Sequence, residues 1–538
     1  MTASRRSHQV LPQNLLSLLP PTGLRFLIVV LLILGIFFRF VHLDRKIYWG
    51  DESSALLRIS GYSPAEVMQD LEGRIVGVED VLKYQRTTPQ TSIFDTINAS
   101  AANATHPPLY FLITKWWMQL FGNSMAVTRS ISALISLLAF PCIYWLCLEL
   151  FNSSLVGWMA IALIAISPFH VIYAQEARMY SLWTVTILLS SAVLLWAMRT
   201  KTKVSWIIYG TTVALGIYTH LFFMFVAIGH GIYVVIIERF RLSKTFVYYL
   251  LASLASFLAF APWLWVIIVN RSSFESATAW ATQNMSLLSL VKYWLYNVSY
   301  VFIDFFFVFT YYPDSPFNWS FGKFLIPLVL SLIIYSIYLL CQRTHVRIWL
   351  FILTLIASTA LAVILPDLIS GGYRSIMGRY FTPCYLGIEL AVAYLLTTKI
   401  NSGDVNIWEH KVWKIVTFLL ISGGVLSCII SSQSETWWNK RTISYDNLHG
   451  VRIINQAPNP LLITKSPPLS LSHKLDSKVK IMVVNQSNTP KIPDGFSNVF
   501  LFKHSWQKLP SGIDKEQKYK MDIAYKGRKQ SLWRLSKE

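Results

Sequence analysis

Asp51 and Glu52 stand side by side in the segment Tyr48-Trp49-Gly50-Asp51-Glu52, directly after the first long apolar run of the chain. A carboxylate held at a membrane surface can take the proton from an acceptor hydroxyl. An adjacent pair can divide that labour, one acid as base and the other orienting substrate hydroxyls. The plainer alternative is the start of a solvated loop. The polar stretch that follows runs to Thr105-His106-Pro107-Pro108-Leu109-Tyr110, where the prolines fix a turn and can aim His106 back at the same surface. Here the competing reading is a structural histidine.

A third cluster, Tyr173-Ala174-Gln175-Glu176-Ala177-Arg178-Met179-Tyr180, sets an acid, a base and two phenols between two apolar stretches. Glu176 and Arg178 are too close in sequence to share a helix face, so an external turn is expected, with a plain interhelical loop as the alternative. Further candidates are Arg129 near the start of an apolar run, His220 at the end of Tyr218-Thr219-His220, and Arg374 and Arg379 around Gly378. A guanidinium fork suits a lipid phosphate because it pairs with two oxygens at once; ordinary snorkelling would place arginines at the same depth.

The elements that position these groups are set by composition. Of 538 residues, 54% are hydrophobic and 14% charged, and mean hydropathy is +0.46. Those values exclude an ordinary soluble domain. Apolar runs at 24–43, 126–148, 154–173, 181–198, 204–219, 221–237, 245–269, 323–341, 347–365, 380–398 and 415–432 are too many for one cleaved leader, and in lipid they must be helical. The expectation is an all-α polytopic membrane protein of about eleven transmembrane helices, within ten to thirteen, with the segments at 107–121 and 290–312 ambiguous. Short basic loops, among them Arg199-Thr200-Lys201-Thr202-Lys203, are expected in the cytoplasm with residues 1–23, which makes loop 44–106 external. Parity then requires one segment not to cross fully. The shortest, 107–121, opening on Pro107-Pro108, is expected to be a partial or tilted helix.

Past residue 432 short β-rich runs at 461–464, 481–484 and 498–502 alternate with Pro, Asn, Gly and Lys, which predicts a small soluble α/β domain over 433–538. That tail holds 18 Lys+Arg against 8 Asp+Glu, half of the net +20. Its charge favours anionic lipid or glycan over nucleic acid, and an odd number of spans puts it outside. The cysteines 142, 147, 341, 384 and 428 all fall in or at the edge of apolar runs and suggest neither disulfides nor a zinc site.

In their order, the acid pair, His106-Pro107-Pro108-Leu109-Tyr110, Phe121-Gly122-Asn123-Ser124 with Thr128-Arg129, and Gln175-Glu176-Ala177-Arg178-Met179-Tyr180 resemble the GT-C membrane glycosyltransferases. The closest likeness is to the protein O-mannosyltransferase and aminoarabinose-transferase-like family, over residues 24 to about 430, with a bacterial and somewhat cyanobacterial cast. The resemblance implies an inverting transfer of a hexose or pentose from a polyprenyl-phosphate donor, at the external face of a bacterial plasma membrane, to a glycan, lipid or protein acceptor. It implies Asp51 as general base and Glu52 as the residue that orients substrate. His106, Arg129, Glu176, Arg178, Tyr180, His220, Arg374 and Arg379 become candidates for the donor phosphate and the substrate. A single displacement through an oxocarbenium-like state requires neither metal nor cofactor, and loop 44–106 is expected to roof the cleft and to order on binding. The likeness stops at the tail, which matches no family motif, and the large central extra domain of eukaryotic mannosyltransferases has no counterpart here.

Two other classes compete. A lipid-linked sugar transporter or flippase would carry ionisable or broken-helix features near mid-membrane, and a non-catalytic scaffold would display the basic tail.

Overall fold

The computed structural model describes residues 22–305, 322–401, 406–437, 443–484, 492–504, 519–527 and 529–537. Helix α1 (Thr22–Phe40) leads into the first loop, which contains α2 (Gly50–Ser60), α3 (Pro64–Leu71), β1 (Ile75–Gly77), α4 (Val78–Leu82) and α5 (Ile93–Ala101). The helical body continues with α6 (Leu109–Phe121), α7 (Met125–Leu137), α8 (Ala139–Phe151), α9 (Ser154–Ile166), α10 (Pro168–Ala174), α11 (Tyr180–Thr200) and α12 (Lys203–Thr219). It closes with α13 (Phe223–Ile237), α14 (Lys244–Val269), α15 (Arg271–Thr278), α16 (Leu287–Ser299), α17 (Gly322–Arg343), α18 (Val346–Ile369), α19 (Thr382–Asn401) and α20 (Ile407–Gln433). The tail holds α21 (Ile443–Gln456), β2 (Pro460–Thr464), α22 (Leu469–Ser472), β3 (Lys480–Val483), β4 (Asn498–His504), β5 (Tyr519–Lys526) and β6 (Gln530–Lys537).

Among the described residues seven helices are long and apolar enough to cross a membrane, and an eighth span results if α9 and α10, bent by 61°, are counted as one. The bend falls at Ser167-Pro168, where proline removes an amide donor and clashes with the preceding turn. The protein is therefore an integral membrane protein, and among the described residues not all of the eleven expected spans are long enough to cross unaided. Helices α12 and α13 have 17 and 15 residues, or about 26 and 23 Å against a hydrocarbon core of about 30 Å. Helix α6, with 13 residues, is shorter still. Of the other ambiguous segment, 290–312, the part up to Ser299 lies in α16 and residues beyond 305 fall outside those described.

Helices α11 and α19 lie at the centre of the bundle, with most of their surface covered, whereas α14 turns Leu254, Leu258 and Trp265 outward. Such an apolar exterior fits lipid rather than water. At Gly35 helix α1 meets α9 so closely that a Cβ would stand 2.6 Å from the Ala165 carbonyl oxygen. This approach lets the buried Arg39 donate to the carbonyls of Ala165 and Ile164 at 2.7 and 3.0 Å.

The first loop is folded. Its helices carry their own caps: Ser63 receives the Glu66 amide at 3.3 Å while the Glu66 carboxylate accepts from the Ser63 amide at 2.7 Å, and Ser92 with Asp95 repeats the pattern. The tail forms the expected sheet, in the order β1-β3-β2-β4-β6-β5, with β2 parallel to both β3 and β4 and the other pairs antiparallel. Its outermost strand β1 comes from the first loop, with Val76 opposite Ile481. Leu57, Val67, Leu71 and Val76 of that loop share one core with Val451, Ile454, Leu462, Ile481 and Phe500 of the tail. The expected division of the chain, which assigned loop 44–106 to the membrane domain and kept the tail separate, is thereby corrected: loop and tail pack as one unit above the helices.

Candidate active site

Glu52 and Asp51 occupy the first turn of α2, where negative charge suits the helix dipole, and they face different surroundings. Glu52 is fully buried. Its Oε1 accepts from Arg129 Nε at 2.9 Å and the Ala177 amide at 3.0 Å, and its Oε2 from Arg129 Nη2 at 2.9 Å. Arg129 also donates to the carbonyls of Leu43 and Lys46 at 2.7 and 2.8 Å, and its guanidinium lies 4.6 Å from the Tyr48 ring centre. Lys46 in turn donates to Gln175 at 3.1 Å. These bonds fasten the segment before α2 to the turn between α10 and α11. Glu52 and Arg129, expected to meet substrate, are corrected to partners of each other, because neither could leave the other buried and unpaired.

Asp51 points the other way. Its Oδ2 lies 3.4 Å from Arg379 Nη2 and 3.7 Å from Arg178 Nη2, and its side chain is 37% exposed. Arg178 Nη1 holds the Asp51 carbonyl at 3.3 Å, and Arg178 Nη2 donates to His106 Nε2 at 2.9 Å. Since a guanidinium can only donate, Nε2 must be the bare nitrogen; Nδ1 then carries the proton and gives it to Thr105 Oγ1 at 2.8 Å, which passes its own to Asn103 Oδ1 at 2.9 Å. His106 is a neutral acceptor here, its pKa pushed well below 6.5 by burial and then by Arg178 and Arg58. Arg379 sits in the turn before α19 with its guanidinium 5.3 Å from the centre of the Trp49 ring.

These groups border a cleft of about 760 Å³ between the helical body and the loop–tail unit. Asp51, His106, Arg178, Tyr180 and Arg379 line it; the other candidates do not. Glu176 is buried and receives the Trp49 indole N–H at 3.0 Å, so it holds the residue before α2. His220 lies face to face with Trp183 at 4.1 Å and accepts the Phe222 amide at 3.1 Å in the turn between α12 and α13. Arg374 pairs with the buried Asp367 at 3.2 Å. His220 and Arg374 are thus corrected to supports behind the cleft wall.

Sequence reasoning missed Arg58 and the phenols Tyr296 and Tyr300, which join Trp49 and Tyr173 of the quoted clusters in the cleft wall. Arg58 was accessible: it stands seven residues after Asp51, two turns along one helix face. The tyrosines carry no such mark, since most aromatics in this chain are equally at home at a lipid interface. Among the described residues no three His, Cys, Asp or Glu side chains converge as metal ligands, and the positive charge around Asp51 comes from Arg58, Arg178 and Arg379.

Residues 105–266 match the family described as dolichyl-phosphate-mannose-protein mannosyltransferase. That stretch is similar to the mannosyltransferase family. It contains the motifs at 106–110, 121–129 and 175–180, so the family likeness drawn from them is shown, while Asp51 lies upstream of it. No curated protein sequence matches the chain. Among solved structures, ArnT from Cupriavidus metallidurans bound to undecaprenyl phosphate aligns at 10% identity and a TM-score of 0.49, over 96% of this chain and 98% of that one. The Archaeoglobus fulgidus oligosaccharyltransferase tethered to an acceptor peptide aligns at 10% identity and a TM-score of 0.48, over 86% of this chain and 63% of its own. The matched segment supplies Arg178, His106 and Tyr180 to the cleft.

Proposed function

We propose that the protein is an inverting membrane glycosyltransferase that moves a sugar from a polyprenyl-phosphate donor to an acceptor hydroxyl at the external face. The observation that carries this reading is Asp51, the one carboxylate among the described residues that line the cleft, within 4 Å of two guanidinium groups on the rim of an integral membrane bundle. The acceptor oxygen attacks the anomeric carbon while Asp51 takes its proton. The bond from that carbon to the phosphate oxygen breaks, and the electron pair leaves with the polyprenyl phosphate. Arg178 and Arg379 face that developing charge, with Arg58 behind them. At 3.4 and 3.7 Å their contacts with Asp51 are loose; an arriving phosphate draws the arginines toward itself and frees the carboxylate to act as base. This path needs no bound metal or cofactor.

The course of α11 supports the external side. Its first residue, Tyr180, lines the cleft and its last, Thr200, enters the basic loop 199–203, about 30 Å away along the helix axis. With the basic loop in the cytoplasm the cleft opens outside, and the tail packed over it is external too.

A lipid-linked sugar transporter remains a second reading because one observation favours it. His170 and Glu389 form a buried pair at 2.9 Å inside the bundle, beside the broken helix α9–α10. Neither borders the cleft, and a closed pair is a scaffold rather than a pathway. Purified protein incubated with labelled polyprenyl-phosphate sugars and a membrane extract decides between them: covalent transfer of label supports the enzyme, and label that changes leaflet but never acceptor supports the transporter.

A further inference from the structure

The cleft has a second half that the proposed chemistry does not use. Beyond Asp51 its wall crosses from α2 to the segment after β2, Thr464 to Leu471, and to Ser444 and Asn447 of α21. The two walls are tied together: Ser53 Oγ lies 2.8 Å from Ser470 Oγ, and Gln85 Nε2 donates to the Leu469 carbonyl at 3.0 Å. This second wall therefore stands a fixed, short way from the carboxylate.

Its place in the sheet is that of a ligand site. Strand β2 lies between its parallel neighbours β3 and β4; the chain leaves β2 toward β3, and later returns to β4 on the opposite side. At the carboxyl end of such strands the diverging connections leave a crevice in which open α/β sheets bind ligands. Thr464 ends β2, and both it and Phe502 of β4 border the cleft. Thr464 and Asn447 are each 5% exposed, and Thr464 Oγ1 and Asn447 Oδ1 have no hydrogen-bond partner among the described residues. Buried polar atoms left unpaired are uncommon and call for a partner group.

The lining says which. Hydroxyls of Ser444, Thr464 and Ser466, the Asn447 amide, the Lys465 side chain, and the flat faces of Pro467 and Pro468 make a surface of donors and acceptors, one of them cationic, beside a short apolar shelf. A lipid chain would ask for a long apolar wall. An extended peptide would ask for a free sheet edge, and the edge strands β1 and β5 do not border the cleft. A sugar ring offers hydroxyls that both donate and accept, with C–H faces to lay on proline. We propose that the crevice formed by Thr464, Asn447 and Pro467-Pro468 is a carbohydrate subsite, which presents an acceptor glycan's hydroxyl to Asp51. Its acceptor role rests on the proposed transfer; its binding of carbohydrate does not.

The test is direct binding to the full-length protein in lipid nanodiscs, read by saturation-transfer NMR. The probes are the methyl glycosides of glucose, galactose, mannose and N-acetylglucosamine, with a Ser/Thr-containing hexapeptide for comparison. The expected result is binding of at least one glycoside, weakened about five- to tenfold by Thr464→Val or Asn447→Leu and kept by Thr464→Ser, with melting temperatures unchanged. The same pattern in protein that transfers no sugar upholds the subsite and removes the proposed reaction. No glycoside binding, binding indifferent to both substitutions, or binding of the peptide in place of the glycosides overturns the subsite.

Discussion

Arg379 Nη2 stands 3.4 Å from Asp51 Oδ2, joining the turn before α19 to the first turn of α2 across the mouth of the cleft. With Arg178 at 3.7 Å, a carboxylate that must accept a proton sits between two groups suited to a phosphate. Replacing either arginine by lysine keeps the charge and loses the two-pronged geometry. Arg178→Lys and Arg379→Lys are expected to raise the donor KM about tenfold and to lower kcat, whereas Arg374→Lys, behind the wall on Asp367, leaves both nearly unchanged. Steady-state kinetics with a polyprenyl-phosphate sugar checks this; equal effects at all three positions would contradict the assignment.

Glu52 predicts a different kind of loss. Its removal leaves Arg129 buried with only carbonyl partners, so Glu52→Ala should cost about 3–5 kcal/mol of stability. A thermal melt in detergent reads it as a large fall in Tm. A variant that melts like the wild type and yet transfers no sugar would return Glu52 to the substrate.

Acid should weaken the fold through two histidines outside the spans. His106 is held well below 6.5, and His473, half-buried with its ring edge-on to Tyr48, is pushed down to about 3, first by loss of solvent and then by nearby cations including Arg129. Both are lowered in the folded state, so their contribution is complete above pH 6.5 and is lost as pH falls from there toward 3, where the unfolded chain binds more protons. Tm is expected to decline between pH 7 and 5, and less steeply in His106→Gln/His473→Gln. Equal pH slopes for the two proteins would contradict it.

How much of this was legible in the sequence depended on distance along the chain. The runs at 461–464, 481–484 and 498–502 announced β2, β3 and β4 because alternation and turn residues are local signals. Strand β1 gave no such signal: three residues cannot show a period, and only pairing with β3 makes them a strand. Asp51, His106, Arg178, Tyr180 and Arg379 were readable as candidates, and the fold gathers them at one cleft. What the sequence could not tell apart was which charges face that cleft. Asp51 and Glu52 are neighbours of like chemistry, and their fates diverge only because Arg129, far along the chain, closes on one of them. Apolar runs that are broken or shortened, such as α9–α10 and α12, look continuous in composition.

The most direct test of the account is the rate of sugar transfer by Asp51→Asn, measured beside donor binding in the same preparation. The substitution keeps the shape of the side chain and removes the base. Transfer is expected to fall by about 10²- to 10⁴-fold while the protein still inserts, melts normally and binds the polyprenyl-phosphate sugar; transfer at the wild-type rate would contradict the central role given to this carboxylate.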